Sequence, residues 1–240
     1  MARILKEYPS VSLKPEDLSW GLLTEDGKID FVRIFGRAGP VHIEIGAGKG
    51  TFLLNQARAR QGENFLGIEW ARKYYRYAVD RIGRWGLTNV RIIRTDAATF
   101  LADFVPNKSV DCFHIYFPDP WPKKRHHKRR FICPANLELL IRCLKTGGQL
   151  KIATDHADYF GQIKKVLRDP ARREPTVGAG QCACPRLEQI DFLPTAGAEA
   201  SEWVGTNFER KYLKDQKSIY TIAVEKTYIP KIIFFTVHER

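Results

Sequence analysis

No stretch of this chain stays apolar for the ~18 residues that a membrane-spanning helix requires. The opening MARILKEYPSVSLKPEDLSW also lacks the apolar core of a secretory leader. Both absences lead us to expect a cytoplasmic protein without membrane attachment. Cysteine is sparse and unpatterned. Cys112, Cys133, Cys143, Cys182 and Cys184 make neither a disulfide framework nor a zinc spacing, and Cys182-Ala183-Cys184 has no second pair. Cys112 and Cys143 sit in apolar segments and read as core thiols, so no metal is expected. Internal repeats and low-complexity segments are missing, which excludes a solenoid. Acid is in deficit: 27 Asp and Glu face 39 Lys and Arg, for a net charge of +12. Such an excess suits a phosphate-bearing partner.

What is present is an ordinary globular composition, 44% hydrophobic over 240 residues, enough for one domain with additions. Residues 1–38 read as a turn-rich lead-in. From there strands and helices alternate. Strands are expected at 41–45, 64–69, 90–95, 110–117 and 149–154, and helices at 51–60, 71–85, 134–144 and 159–168. This order predicts an α/β fold, a mostly parallel sheet with helices on both faces. Residues 170–200 are rich in Pro, Gly and Ala and read as an irregular insertion with one short strand. Residues 217–224 alternate as a final strand, expected to be antiparallel and to close a domain spanning 39–226. Residues 227–240 form a tail with an apolar run that the sequence does not place.

The most informative segment is Phe117-Pro118-Asp119-Pro120-Trp121-Pro122-Lys123-Lys124-Arg125-His126-His127-Lys128-Arg129-Arg130. An acid held between two prolines leads directly into eight basic or imidazole side chains. Each proline fixes φ and restricts the residue before it, so the exit from the preceding strand is stiff. A rigid carboxylate at a strand end, beside a dense cationic loop, suggests chemistry on a polyanion.

A second signal lies at the end of the first strand of the alternation. Gly46-Ala47-Gly48-Lys49-Gly50-Thr51 is neither GxGxxG nor a P-loop, because Gly50 comes one position early and Lys49 is not followed by Ser or Thr. Glu44 precedes it by two residues. An acid ahead of GxGxG suits S-adenosylmethionine, whose methionine end is zwitterionic. Glu69 closes the next strand, where it can accept both ribose hydroxyls or simply be a solvated strand-end acid. Asp96-Ala97 follows the third, with Asp96 placed to accept the adenine amino group or to cap the next helix.

With these residues the chain resembles the bacterial tRNA (guanine-N7)-methyltransferase family. The resemblance rests on Glu44-Ile45-Gly46-x-Gly48-x-Gly50, Gly67-Ile68-Glu69, Asp96-Ala97, the block from Phe117 to His126, Ala153-Thr154-Asp155-His156-x-x-Tyr159, and Thr206-Asn207-Phe208-Glu209-x-Lys211. It covers about residues 41–211. Lys49 departs from it, standing where the family often has a smaller or apolar residue. The resemblance implies a Rossmann-like class I methyltransferase fold, and methyl transfer from S-adenosylmethionine to guanine N7, characteristically at position 46 of the tRNA variable loop. It implies that Glu44, Gly46, Gly48, Gly50, Glu69, Asp96, Ala97 and Asp119 hold the cofactor or frame its pocket. Lys123, Asp155, Thr206, Asn207, Phe208 and Glu209 would touch the target nucleotide. Lys124, Arg125, His126, His127, Lys128, Arg129 and Arg130 would bind RNA. The expected partner is tRNA, with no obligate protein partner and a monomeric or homodimeric state.

Guanine N7 carries no proton at neutral pH, so its methylation needs no general base. Positioning and electrostatics remain, and Asp119 is the catalytic candidate, though it could also only shape its loop. Trp121 or Phe208 could stack on an exposed base or be packing residues. Asp155 could read the guanine edge or cap a helix. Two rival readings stay open: a related enzyme with a non-RNA acceptor, and a non-catalytic RNA-binding protein. The basic block speaks against the first, and the acids at successive strand ends against the second.

Overall fold

The computed structural model describes residues 4–14, 21–168, 185–196, 198–199 and 201–228. The expectations for Cys182-Ala183-Cys184 and for 229–240 lie outside these residues. The elements in chain order are β1 (Ser12–Leu13), α1 (Phe31–Phe35), β2 (Val41–Ile45), α2 (Thr51–Ala59), β3 (Asn64–Ile68), α3 (Arg72–Gly83), β4 (Val90–Ile93), α4 (Ala97–Asp103) and β5 (Val110–Tyr116). A 3-10 helix (Lys124–Arg129) follows, then α5 (Pro134–Cys143), β6 (Leu144–Thr154), α6 (Ala157–Arg168), β7 (Pro185–Ile190), α7 (Asn207–Lys214) and β8 (Tyr220–Tyr228).

The strands form one eight-stranded sheet in the order β1-β4-β3-β2-β5-β6-β8-β7. β1 to β6 pair in parallel, β8 runs antiparallel to β6, and β7 antiparallel to β8. The lead-in thus adds a strand, β1, to one edge. The irregular stretch supplies one strand, β7, at the other.

One sheet face carries Ile43, Ile45, Leu66, Ile68, Phe113, Ile115, Leu150 and Ile152, which pack against Phe100, Leu137, Leu140 and Ile163 of α4, α5 and α6. α2 and α3 cover the other face, with Leu53, Leu54, Ala57, Ala78, Val79 and Ile82 around Phe65, Val90 and Ile92. Gly67 permits this packing on β3, since a Cβ there would stand 2.4 Å from Leu53 Cδ1 and 3.1 Å from Ala47 Cβ. The α2 side is unusually polar beneath its helices. Residues of alternate strand positions share a face, so His42, Glu44, His114 and Tyr116 all lie there, buried.

Three of those groups and Glu63 form a chain. His42 Nε2 lies 2.9 Å from Glu63 Oε2, His42 Nδ1 lies 3.1 Å from His114 Nε2, and His114 Nδ1 lies 2.7 Å from the Tyr116 hydroxyl. Cys112 is close enough to join both imidazoles around one point. Its thiol is pushed up to about 12 by burial, so it stays protonated. No helix among the described residues is long and apolar enough to cross a membrane.

Candidate active site

Parallel strands bring their C-terminal ends to one edge, and ligands of open α/β sheets bind there. At the end of β2, Gly46, Gly48 and Gly50 all adopt positive φ (78, 54 and 67°), a turn that side-chain-bearing residues enter only under strain. The Gly46 and Ala47 amides donate to Ile68 O at 2.9 and 3.0 Å, tying the turn to the end of β3. Glu69 completes the tie: its Oε2 accepts from Gly48 N and its Oε1 from Ala71 N, each at 2.7 Å. Each oxygen keeps a further lone pair. Among the described residues a Cβ at Gly46 would meet nothing within 4 Å, so the turn is open there, whereas one at Gly50 would stand 3.0 Å from Ala78 Cβ and Ile82 Cδ1, so that end of the turn packs on α3.

Glu44 lies at the foot of this turn, buried, and among the described residues its Oε2 has no hydrogen-bond partner. Burial, reinforced by the negative charge of Glu69, raises its carboxyl well above 4.5. An orphaned carboxyl oxygen under an open, amide-rich turn is a place for a ligand that presents a cationic donor. Asp96 is exposed and caps α4, with Oδ1 accepting from Thr99 N at 2.9 Å. Ala97 is the first residue of that helix.

At the end of β5 the Pro118-Asp119-Pro120 segment is clamped on both sides. Phe117 and Trp121 adopt φ of 52 and 43°, conformations that cost bulky residues roughly 1–3 kcal/mol each and persist only where surroundings enforce them. The enforcement is visible: Phe117 N donates to Ala153 O at 2.7 Å, and Arg130 Nε donates to Pro120 O at 2.7 Å. Asp119 stands exposed at the crest, and among the described residues nothing hydrogen-bonds its carboxylate. Lys123, Lys124, Arg125, Lys128 and Arg129 project into solvent from the 3-10 helix and its start. His126 and His127 are half-buried. His126 meets the Trp121 ring edge-on at 5.8 Å and the Arg129 guanidinium lies 5.0 Å over that ring, so Trp121 packs within the loop.

Three of the site residues expected at the RNA or the nucleotide are buried and bonded internally. The basic run puts Arg130 among the RNA-binding residues, but only 2% of it is exposed. Its guanidinium binds Pro120 O, Gln162 Oε1 at 2.7 Å and Asp158 Oδ2 at 2.6 Å, above the Tyr159 ring. It is the internal strut of the loop. The resemblance puts Thr206 and Glu209 at the nucleotide, but both serve the backbone. Thr206 caps α7 by accepting from Glu209 N at 3.1 Å. The fully buried Glu209 carboxylate accepts the amides of Trp203, Val204 and Gly205. This Thr-x-x-Glu spacing is a capping box by sequence, and that signal was available.

α7 precedes the antiparallel β8, whose Tyr220 pairs with Thr154, so the helix lies at the same edge. Its Asn207 and Phe208 are exposed. Phe208 and Tyr212 flank Phe117, with ring centroids at 6.4 and 5.4 Å. The Tyr212 phenol is raised first by burial and then by the charge and hydrogen bond of Asp155, which places Asp155 in this group. The edge therefore gathers the glycine turn with its acids, the clamped Asp119, Asp155 with an aromatic cluster, and the cationic 3-10 helix. The sequence missed α7, Tyr212 and the Glu63–His42–His114–Tyr116 chain. The only signal for that chain was polar residues at alternate positions of otherwise apolar strands.

A sheet of this order with a nucleotide-type turn and acids at successive strand ends defines a Rossmann-like methyltransferase. The putative methyltransferase family matches residues 38–184. A solved structure described as an antibiotic related methyltransferase shares the fold, with a TM-score of 0.52 at 16% identity over 86% of this chain and 95% of that one. The tRNA (guanine-N(7)-)-methyltransferase of Nitrosococcus oceani is 44% identical over 162 residues, 68% of this chain and 69% of that protein. The protein of the same name from Halorhodospira halophila is 42% identical over 198 residues, 82% of this chain and 80% of its own length. The chain belongs to the tRNA (guanine-N(7)-)-methyltransferase family.

Proposed function

We propose that the protein transfers the methyl group of S-adenosylmethionine to N7 of guanine in tRNA, at the variable-loop guanine. The observation that supports this most is the shared edge: an open turn over an orphaned carboxyl lies beside a rigid, solvent-facing carboxylate and a cationic helix. Bound there, S-adenosylmethionine supplies an electrophilic methyl group on a positively charged sulfur. Glu44 holds the ammonium end, Gly46 to Gly50 let the backbone approach, Glu69 takes the ribose hydroxyls, and Asp96-Ala97 border the adenine. Asp119 supplies negative charge where the base becomes cationic, and accepts from the guanine N1/N2 edge. Lys123, Asp155, Asn207 and Phe208 position the nucleotide. Lys124, Arg125, His126, His127, Lys128 and Arg129 meet the RNA backbone.

Labelled methyl transfer to unmodified tRNA transcripts is expected to yield N7-methylguanosine, and none when the variable-loop guanine is changed to adenine. A protein that binds S-adenosylmethionine but labels no tRNA overturns the reading.

Cofactor affinity should also depend on pH. A carboxyl with a raised value holds its proton until the pH passes that value, and only its ionised form attracts an ammonium. Affinity therefore rises with pH through the elevated Glu44 value for as long as the ligand's amine keeps its own proton. Titration calorimetry in buffers of different ionisation heat should detect the released proton. Glu44→Gln should bind more weakly and without that release.

A further inference from the structure

The basic 3-10 helix leaves the sheet after β5, on one side of the β2 glycine turn. The strand on the other side of β2 is β3, and β3 leads into α3. The exposed side of that helix is cationic. Arg72, Lys73 and Arg76 are all exposed, and the first turn of α3 carries no acid. The acid of α3, Asp80, is buried and already bonded by Arg84 Nη2 at 2.8 Å and by the Lys6 amide at 3.0 Å. Among the described residues no carboxylate pairs with Arg72, Lys73 or Arg76.

Aromatic rings lie among these charges. Tyr74 is 40% exposed, and Lys49 of the glycine turn sits 5.8 Å over the Tyr77 ring, joining the helix to the turn. On a helix, residues three and four apart are neighbours, so Arg72 and Arg76, and Lys73 and Tyr77, share one flank. Unpaired cations interleaved with tyrosines suit phosphates and bases together.

We propose that the exposed side of α3, with Lys49, is a second docking surface for the RNA substrate. The proposal rests on the tRNA reading above. It follows from the geometry of a polymer: a nucleotide held at the sheet edge has chain on both sides. β3 and β5 flank β2, so their loops start about 10 Å apart at ordinary strand spacing. One flank of the RNA follows Lys123 to Arg129. The other crosses α3, whose 12 residues extend about 18 Å. The cofactor pocket then lies between two cationic walls, and the substrate bridges it.

The test compares wild type with the triple variant Arg72→Gln, Lys73→Gln, Arg76→Gln, and with the charge-keeping Arg72→Lys, Arg76→Lys. Affinity for unmodified tRNA is measured across a salt series, alongside affinity for S-adenosylmethionine. The log-log salt slope of the triple variant should shrink by about 0.9 for each phosphate it no longer neutralises, up to ~3 in all. The double variant should keep the wild-type slope, and all three should bind the cofactor alike, which also reports folding. Equal slopes for wild type and triple variant overturn the α3 surface while leaving the proposed activity standing. A wild type that binds no tRNA overturns both.

Discussion

Asp119→Ala is expected to slow methyl transfer by about 10²–10³-fold, the scale for losing one preorganised electrostatic partner of a reacting group. Cofactor affinity should change far less, because the glycine turn, Glu44 and Glu69 hold together without Asp119. The side chain stands at the crest of a segment clamped at Phe117 and Trp121, so its removal opens no cavity and orphans no buried group. Thermal stability should therefore stay close to wild type. Single-turnover kinetics under saturating S-adenosylmethionine isolate the chemical step from binding. Asp119→Asn tells charge from shape: it keeps an acceptor oxygen but loses the negative charge. If electrostatics dominate, the Asn variant should be nearly as slow as the Ala variant. A normal rate in both would reduce Asp119 to a loop-shaping residue.

Arg130→Ala should act through the fold. It removes a buried guanidinium that bonds a backbone carbonyl, Gln162 and Asp158, leaving Pro120 O without its donor. Losing such a network costs about 2–4 kcal/mol. At 2–4 °C per kcal/mol for a chain of this size, the melting temperature should fall by about 5–15 °C. Methyl transfer should fall too, since the segment bearing Asp119 loses one of its clamps. Arg129→Ala makes the contrast. It is exposed, so stability should barely move while the tRNA salt slope drops by about one. Calorimetry and binding across salt separate the two arginines, and matching behaviour would contradict their different burial.

The strand and helix alternation from β2 to α6 was legible because it is periodic and because apolar runs on a sheet covered on both faces are hard to disguise. Boundaries moved where local chemistry intervened. β6 starts at Leu144, five residues before the expected Gln149, because Leu144 already pairs with Val110, and after an irregular stretch over residues 145–148 the pairing resumes at Gln149 with Cys112. β1 is two residues long and α7 has a single buried residue, Glu209. Neither offers the pattern that sequence reading uses. At the sheet edge, the positions of Glu44, Glu69, Asp96 and Asp119 at or beside the strand ends were legible from the strand pattern. Composition could not separate Arg130 from Arg129. They are neighbours in the same basic run, and only the fold shows that one turns inward. Glu209 illustrates the same limit, because a motif acid can serve the backbone as readily as a ligand.

The Glu63–His42–His114–Tyr116 chain has a polarity. Glu63 is held ionised chiefly by its bond to His42, so it can only accept. Burial holds His114 neutral, so that ring gives one hydrogen and takes one. With His42 also neutral, every hydrogen points toward Glu63, and Tyr116 must spend its own on His114. Tyr116 ends β5, one residue before the clamped segment that carries Asp119. The sheet thus contains a one-way relay of hydrogens that starts at the end of the strand leading to Asp119 and finishes on a carboxylate at the opposite end of the sheet, just ahead of β3.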